Sequence, residues 1–136
     1  MSKEKVFIDT SAFYALMDRA DICHARAKKL WHILLNNGTS VVTSNYISIK
    51  TMALLQNRLG FEAANLWYSD ILGIVKVIWA NKIIHKTAYD LWVSFGRRKL
   101  SLVDCTSFVI MNKYKISKIF GFDKHFIEQG FIQHDS

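Results

Sequence analysis

Three aspartates stand where chemistry is easiest to build. Asp9 directly follows the run Lys5–Ile8 (KVFI), Asp104 lies at a strand-to-helix junction between Val103 and Cys105, and Asp123 directly follows Ser117–Phe122 (SKIFGF). If each run is a strand of one parallel sheet, the three carboxylates emerge at a shared edge, which is where such folds place their sites. Crowded carboxylates repel one another, and a divalent cation offsets that repulsion. Mg²⁺ or Mn²⁺ suits hard oxygen ligands and leaves positions for water and phosphate. The arrangement implies metal-assisted hydrolysis, with Asp9 and Asp104 as ligands and Asp123 a ligand directly or through water. Each aspartate also has a plainer role, Asp104 as a helix cap and Asp123 as the start of a turn. The coincidence of three at strand ends is what favours a shared pocket.

Hydrophobic periodicity supplies the elements that must hold them. After Asp9, Ser11–Asp18 has helical spacing. Between Ile22 and Asn37, residues Ala27, Leu30, Trp31 and Leu34 form one apolar stripe, and Asn36-Asn37-Gly38 stops the helix. Ser40–Thr43 is a second strand, and Ser44-Asn45 caps a helix over Tyr46–Arg58 that Gly60 breaks. A further helix is expected over Phe61–Leu72, a third strand over Val75–Trp79, and a helix between Asn81 and Gly96 carrying Ile84, Ala88, Leu91, Trp92 and Phe95. Leu100–Val103 extends briefly before a buried helix from Cys105 to about Tyr114. Short apolar strands alternating with longer helices predict an α/β fold, a three-layer α/β/α sandwich around a mainly parallel sheet.

Composition narrows the partners. A chain of 136 residues has the size of one domain, expected to span 1–136. Its apolar runs fall far short of the roughly 18 residues that cross a bilayer. The start, MSKEKVFIDTSAF, lacks the apolar region and cleavage site of a signal peptide, so a cytosolic location is expected. Cys23 and Cys105 fit free thiols in a reducing compartment. Lys and Arg number 18 against 11 Asp and Glu, a formal charge of +7 that favours polyanionic partners such as nucleic acid. Arg97-Arg98-Lys99, Lys113 with Lys115, and Lys124 with His125 are expected to flank the sheet edge and grip phosphates through charge, solvated surface charge being the ordinary alternative. The five histidines lack HxxxH or HExxH spacing, which argues against zinc. Trp31, Trp67, Trp79 and Trp92 lie in apolar stripes or strands, where core or dimer packing outranks base stacking.

FIDTSAFYAL, VVTSNY, LSLVDCTSFVIM and FGFDKHFIEQGF, in that order and spacing, resemble PIN-domain proteins, particularly ribonuclease toxins of the VapC type. The likeness spans nearly the whole chain. It implies a three-layer domain, RNA as substrate, Mg²⁺ or Mn²⁺ as cofactor, frequent homodimers, and an antitoxin partner that blocks the pocket. By this resemblance the family's acids fall on Asp9, Asp104 and Asp123, with Ser11 as a polar support. Its second acid, a glutamate on the helix after the TSNY-like segment, is replaced by Lys50. Four acids would carry a formal −4, whereas three acids and a lysine carry −2, so weaker metal affinity is expected. Lys50 could instead swing out to solvent or contact RNA phosphate. The alternative function is therefore a catalytically impaired RNA-binding or dimerisation module.

Overall fold

The computed structural model describes residues 4–135; residues 1–3, part of the start weighed against a signal peptide, and residue 136 lie outside it. Five strands, β1 (Lys5–Ile8), β2 (Ser40–Ser44), β3 (Lys76–Ile78), β4 (Lys118–Phe120) and β5 (Ile132–Gln133), form one sheet in the order β3-β2-β1-β4-β5. Every pairing is parallel. Val6, Phe7 and Ile8 are all buried, the continuous apolar run expected of a central parallel strand covered on both faces. The helices are α1 (Thr10–Met17), α2 (His24–Asn36), α3 (Asn45–Leu59), α4 (Phe61–Leu66), α5 (Lys82–Phe95), α6 (Leu102–Lys113) and α7 (His125–Glu128). They complete the three-layer α/β/α sandwich.

The chain leaves β1 in one direction to build β2 and β3, then returns to the other side of β1 for β4 and β5. That reversal opens a crevice beyond the C-terminal ends of β1 and β4, the place where folds of this kind bind ligands. TSN at the end of β2 fixes the neighbouring edge. Thr43 Oγ1 donates to the Ile8 carbonyl at 2.9 Å, Ser44 Oγ accepts from the Ile47 amide at 3.2 Å and caps α3, and Asn45 Oδ1 accepts from the Ala80 amide at 2.7 Å. One tripeptide thereby joins the ends of three strands.

The core is one apolar cluster in which Phe13 meets Trp67 edge-on at 4.9 Å and Phe108 meets Phe126 at 5.2 Å. The α2 stripe is buried as its spacing predicts, but the α5 stripe is buried only at Ile84 and Ala88. The expected helix from Phe61 continues past α4 through a π turn (Trp67–Ile71) and a 3₁₀ turn (Leu72–Ile74), which carry the chain to β3.

The expected extension over Leu100–Val103 is absent. Ser101 is the N-cap of α6, so Leu102 and Val103 already belong to the helix and Asp104 is its third residue rather than its cap. The last long strand shrinks to Lys118–Phe120, leaving Gly121 and Phe122 as a turn before Asp123. β5 was not anticipated; two residues carry too little pattern to stand out.

Candidate active site

Asp9 leaves β1 at its C-terminal end and caps α1, where its Oδ2 accepts from the Ser11 amide at 3.4 Å and from Ser11 Oγ at 3.1 Å. Ser11 Oγ also accepts from the Phe122 amide at 2.9 Å, tying Asp9 to the turn after β4. The Asp9 amide donates to the Phe120 carbonyl at 3.0 Å. These bonds bring the two strand ends so close that a Cβ on Gly121 would lie 3.1 Å from Asp9 Cβ and 3.2 Å from Ser11 Oγ. Any larger residue would have to push these neighbours aside. Asp9 is 4% exposed, and its Oδ1 is buried without a hydrogen-bond partner. Burial pushes its carboxyl above the ordinary range; the charge of Lys50 pulls it back down, that of Asp104 raises it, and the Ser11 bonds lower it. A buried carboxylate oxygen with nothing to bind is a costly arrangement that a cation would relieve.

Asp104 is equally buried but held from the opposite side. In a reciprocal capping box, Ser101 Oγ accepts from the Asp104 amide and Asp104 Oδ2 accepts from the Ser101 amide, both at 3.1 Å. Four residues on, Phe108 packs against Phe126 of α7 and so draws that short helix onto the start of α6. Asp123 Oδ1 accepts from the His125 amide at 2.9 Å. The result is a triad: one carboxylate oxygen from each of Asp104 and Asp123 and one ring nitrogen of His125 all lie within 4.8 Å of one another. Asp9 stands outside this closest grouping yet within electrostatic reach of Asp104. His125 is 8% exposed; its Nε2 lies 3.7 Å from Asp123 Oδ1 and its Nδ1 pairs with Glu128 Oε1 at 3.1 Å. The Arg97 guanidinium stands 3.8 Å from the same Glu128 oxygen.

The sequence profile of the PIN domain matches residues 6–132, which includes every one of these side chains. The chain belongs to the PIN domain family. It is 33% identical over 129 residues to the 23S rRNA-specific endonuclease VapC20 of Mycobacterium tuberculosis, covering 94% of this chain and 96% of that protein. The crystal structure of VapC20, described as a Sarcin-Ricin loop cleaving toxin, superimposes with a TM-score of 0.87 at 32% identity, covering 96% of this chain and 99% of the other. FitAcB from Neisseria gonorrhoeae shares the fold at a TM-score of 0.70 and 11% identity.

Within this PIN domain Asp104 and Asp123 meet in one cluster, and Asp9 stands apart from it but close enough for its charge to be felt; Asp9 follows a strand directly, and Asp123 follows β4 after a two-residue turn. Asp104 arrives on a helix. Lys50 is exposed on α3, beside Thr51, whose buried Oγ1 lies 3.0 Å from Thr10 Oγ1 and locks α3 to α1. Its charge nonetheless acts on Asp9, holding that carboxyl down against the effect of burial. Arg97, Arg98 and Lys99 are exposed in the turn between α5 and α6, and Lys124 is exposed beside Asp123. Lys113 and Lys115 do not flank the site. They end α6, whose first turn holds Asp104, so the helix places them roughly 14 Å further along its axis. Lys115 adopts φ 57°, and its left-handed backbone ends α6 ahead of β4.

His125 was expected to grip phosphate with Lys124, yet it is buried and turned toward the acids. Trp31 and Trp67 are core residues, whereas Trp79 and Trp92 are exposed. Among the described residues, no helix is long and apolar enough to cross a membrane.

Proposed function

We propose that this PIN domain is an endoribonuclease that hydrolyses RNA phosphodiester bonds with a divalent cation, Mg²⁺ or Mn²⁺, held by Asp9, Asp104 and Asp123. The observation that carries the proposal is the buried, unpartnered Asp9 Oδ1 within electrostatic reach of Asp104, which itself clusters with Asp123. Neighbouring carboxylates, one with a buried oxygen that nothing satisfies, are suited to a cation and ill suited to an empty apolar fold. When bound, the cation polarises the scissile phosphoryl group and lowers the pKa of the attacking water.

The chain's own groups do the rest. Ser11 fixes the angle of the Asp9 carboxylate, and the capping box fixes that of Asp104. Lys50, standing at the rim, neutralises part of the acidic charge and offers a flexible ammonium to the RNA backbone. Arg97, Arg98, Lys99 and Lys124 contribute further phosphate contacts through charge. The likeness to a 23S rRNA-specific endonuclease supports a structured RNA as substrate and a toxin role with an antitoxin partner. Ile49, Met52, Tyr68, Leu72 and Trp79 line an apolar groove of about 380 Å³, a surface that an antitoxin or a second copy would cover.

The second reading, a catalytically impaired RNA-binding or dimerisation module, is favoured by Lys50 alone. Cleavage of ribosomal RNA with Mn²⁺ or Mg²⁺, lost on Asp9→Asn and on chelation, is the expected result. Cleavage that survives both treatments would exclude metal-dependent hydrolysis at this pocket. An inert wild type that Lys50→Glu makes active would establish the impaired module instead.

A further inference from the structure

The acid crevice contains a nitrogen donor that four-carboxylate chemistry does not call for. We propose that His125 is itself a ligand to the divalent cation, binding through Nε2 beside Asp104 and Asp123, with Glu128 as its positioning residue, and that this mixed donor set makes the site prefer Mn²⁺ to Mg²⁺. The inference rests on the metal-dependent reading given above.

Four features lead there. First, the His125 ring nitrogen and the two carboxylate oxygens lie within 4.8 Å of one another, a spacing that one ion bridges with small side-chain adjustments. Second, the ring is nine-tenths buried, and its two nitrogens have separate fates. Nδ1 is paired with Glu128 Oε1 at 3.1 Å, while Nε2, directed at the acids, has no hydrogen-bond partner and stands 3.7 Å from Asp123 Oδ1. A carboxylate on the far nitrogen takes its N–H, fixes the tautomer and leaves the near nitrogen's lone pair for the metal; metal-bound histidines commonly carry such a partner.

Third, Asp9 Oδ1 is buried and unpartnered within electrostatic reach of Asp104, a separate sign that a positive centre belongs nearby. Fourth, the position is rigid. Phe126 is fully buried and packs edge-on against Phe108, which lies one helical turn beyond Asp104, so His125 and Asp104 are held by one aromatic contact. Imidazole also suits a crevice in which Lys50 stands where another acid was expected, because it adds a donor without adding charge. Nitrogen ligation separates the two ions. Mg²⁺ demands oxygen and a near-ideal octahedron, whereas first-row transition ions accept imidazole readily.

The test is pulsed electron paramagnetic resonance on tag-free full-length protein titrated with Mn²⁺, alongside calorimetric titrations with Mn²⁺ and Mg²⁺. The expected spectrum shows ¹⁴N modulation from a coordinated imidazole, and the modulation disappears in His125→Gln, which assigns it among the five histidines. Glu128→Gln is expected to keep the modulation and to weaken Mn²⁺ binding by about tenfold or more, as loss of an outer carboxylate partner does. Mn²⁺ is expected to bind the wild type at least about tenfold more tightly than Mg²⁺, with the gap narrowing in His125→Gln. Bound Mn²⁺ without ¹⁴N modulation in the wild type overturns the role of His125 and leaves the nuclease proposal standing. Failure of either ion to bind at all removes the metal-dependent reading itself. The wild-type spectrum decides the matter even if a variant fails to fold.

Discussion

Replacing Gly121 by alanine tests whether the contact between two strand ends sets the position of Asp9. The added methyl would lie 3.1 Å from Asp9 Cβ and 3.2 Å from Ser11 Oγ, against an ordinary contact of 3.4–4 Å. The neighbours must give by a few tenths of an ångström, and neither yields freely. Asp9 Cβ is carried on backbone bonded to Phe120, and Ser11 Oγ holds two hydrogen bonds at once. Rotating Ser11 away forfeits about 1 kcal/mol for each bond, and shifting the backbone costs about 1–3 kcal/mol. A destabilisation of about 1–3 kcal/mol lowers Tm by roughly 4–12 °C in a chain of this size.

Displacing one carboxylate by a few tenths of an ångström should also reduce RNA cleavage, by up to roughly tenfold. Thermal melting and single-turnover cleavage would be measured for Gly121→Ala and for the control Gly73→Ala, whose methyl would meet no atom within 4 Å. A Gly121→Ala protein that melts and cleaves like the control would show that the crevice does not depend on this approach.

Ser101→Ala removes half of the capping box around Asp104 and is expected to cost about 1 kcal/mol in urea unfolding, with Ser101→Thr close to wild type. Mn²⁺ affinity should weaken in the alanine variant and hold in the threonine one. His134 offers a pH test away from the crevice: burial lowers its pKa below the ordinary 6.5, and its Nε2 is buried without a partner. A depressed histidine stabilises the fold above its unfolded pKa, and that contribution is lost as pH falls through the lower folded value. Between about pH 7.5 and pH 5, the wild type should therefore lose stability faster than His134→Phe in chemical denaturation.

Local pattern was enough to place Asp9, because a fully apolar strand followed by a capping residue has few other interpretations. TSN was visible as a strand end with caps, but the bonds of Thr43 to the end of β1 and of Asn45 to the residue beyond β3 depend on sheet order, which no local pattern encodes. The start of α6 was misplaced because Leu100, Leu102 and Val103 look like strand residues when only their hydrophobicity is considered. Ser101 followed three residues later by Asp104 was the capping-box spacing that would have set the boundary correctly. His125 was hidden for a different reason. Between a lysine and a phenylalanine it looked like surface charge, and only the packing of Phe126 on Phe108 turns it inward.

The order in which β1 finds its neighbours has a consequence for synthesis. β2 pairs with β1 once about the first third of the polypeptide exists, but β4, and with it Asp123, comes from its last fifth. A nascent chain can begin to fold around its N-terminal strand while it still has no second wall to the crevice. Synthesis order therefore delays the pairing that brings the turn before Asp123 against Asp9 until β4 has been made.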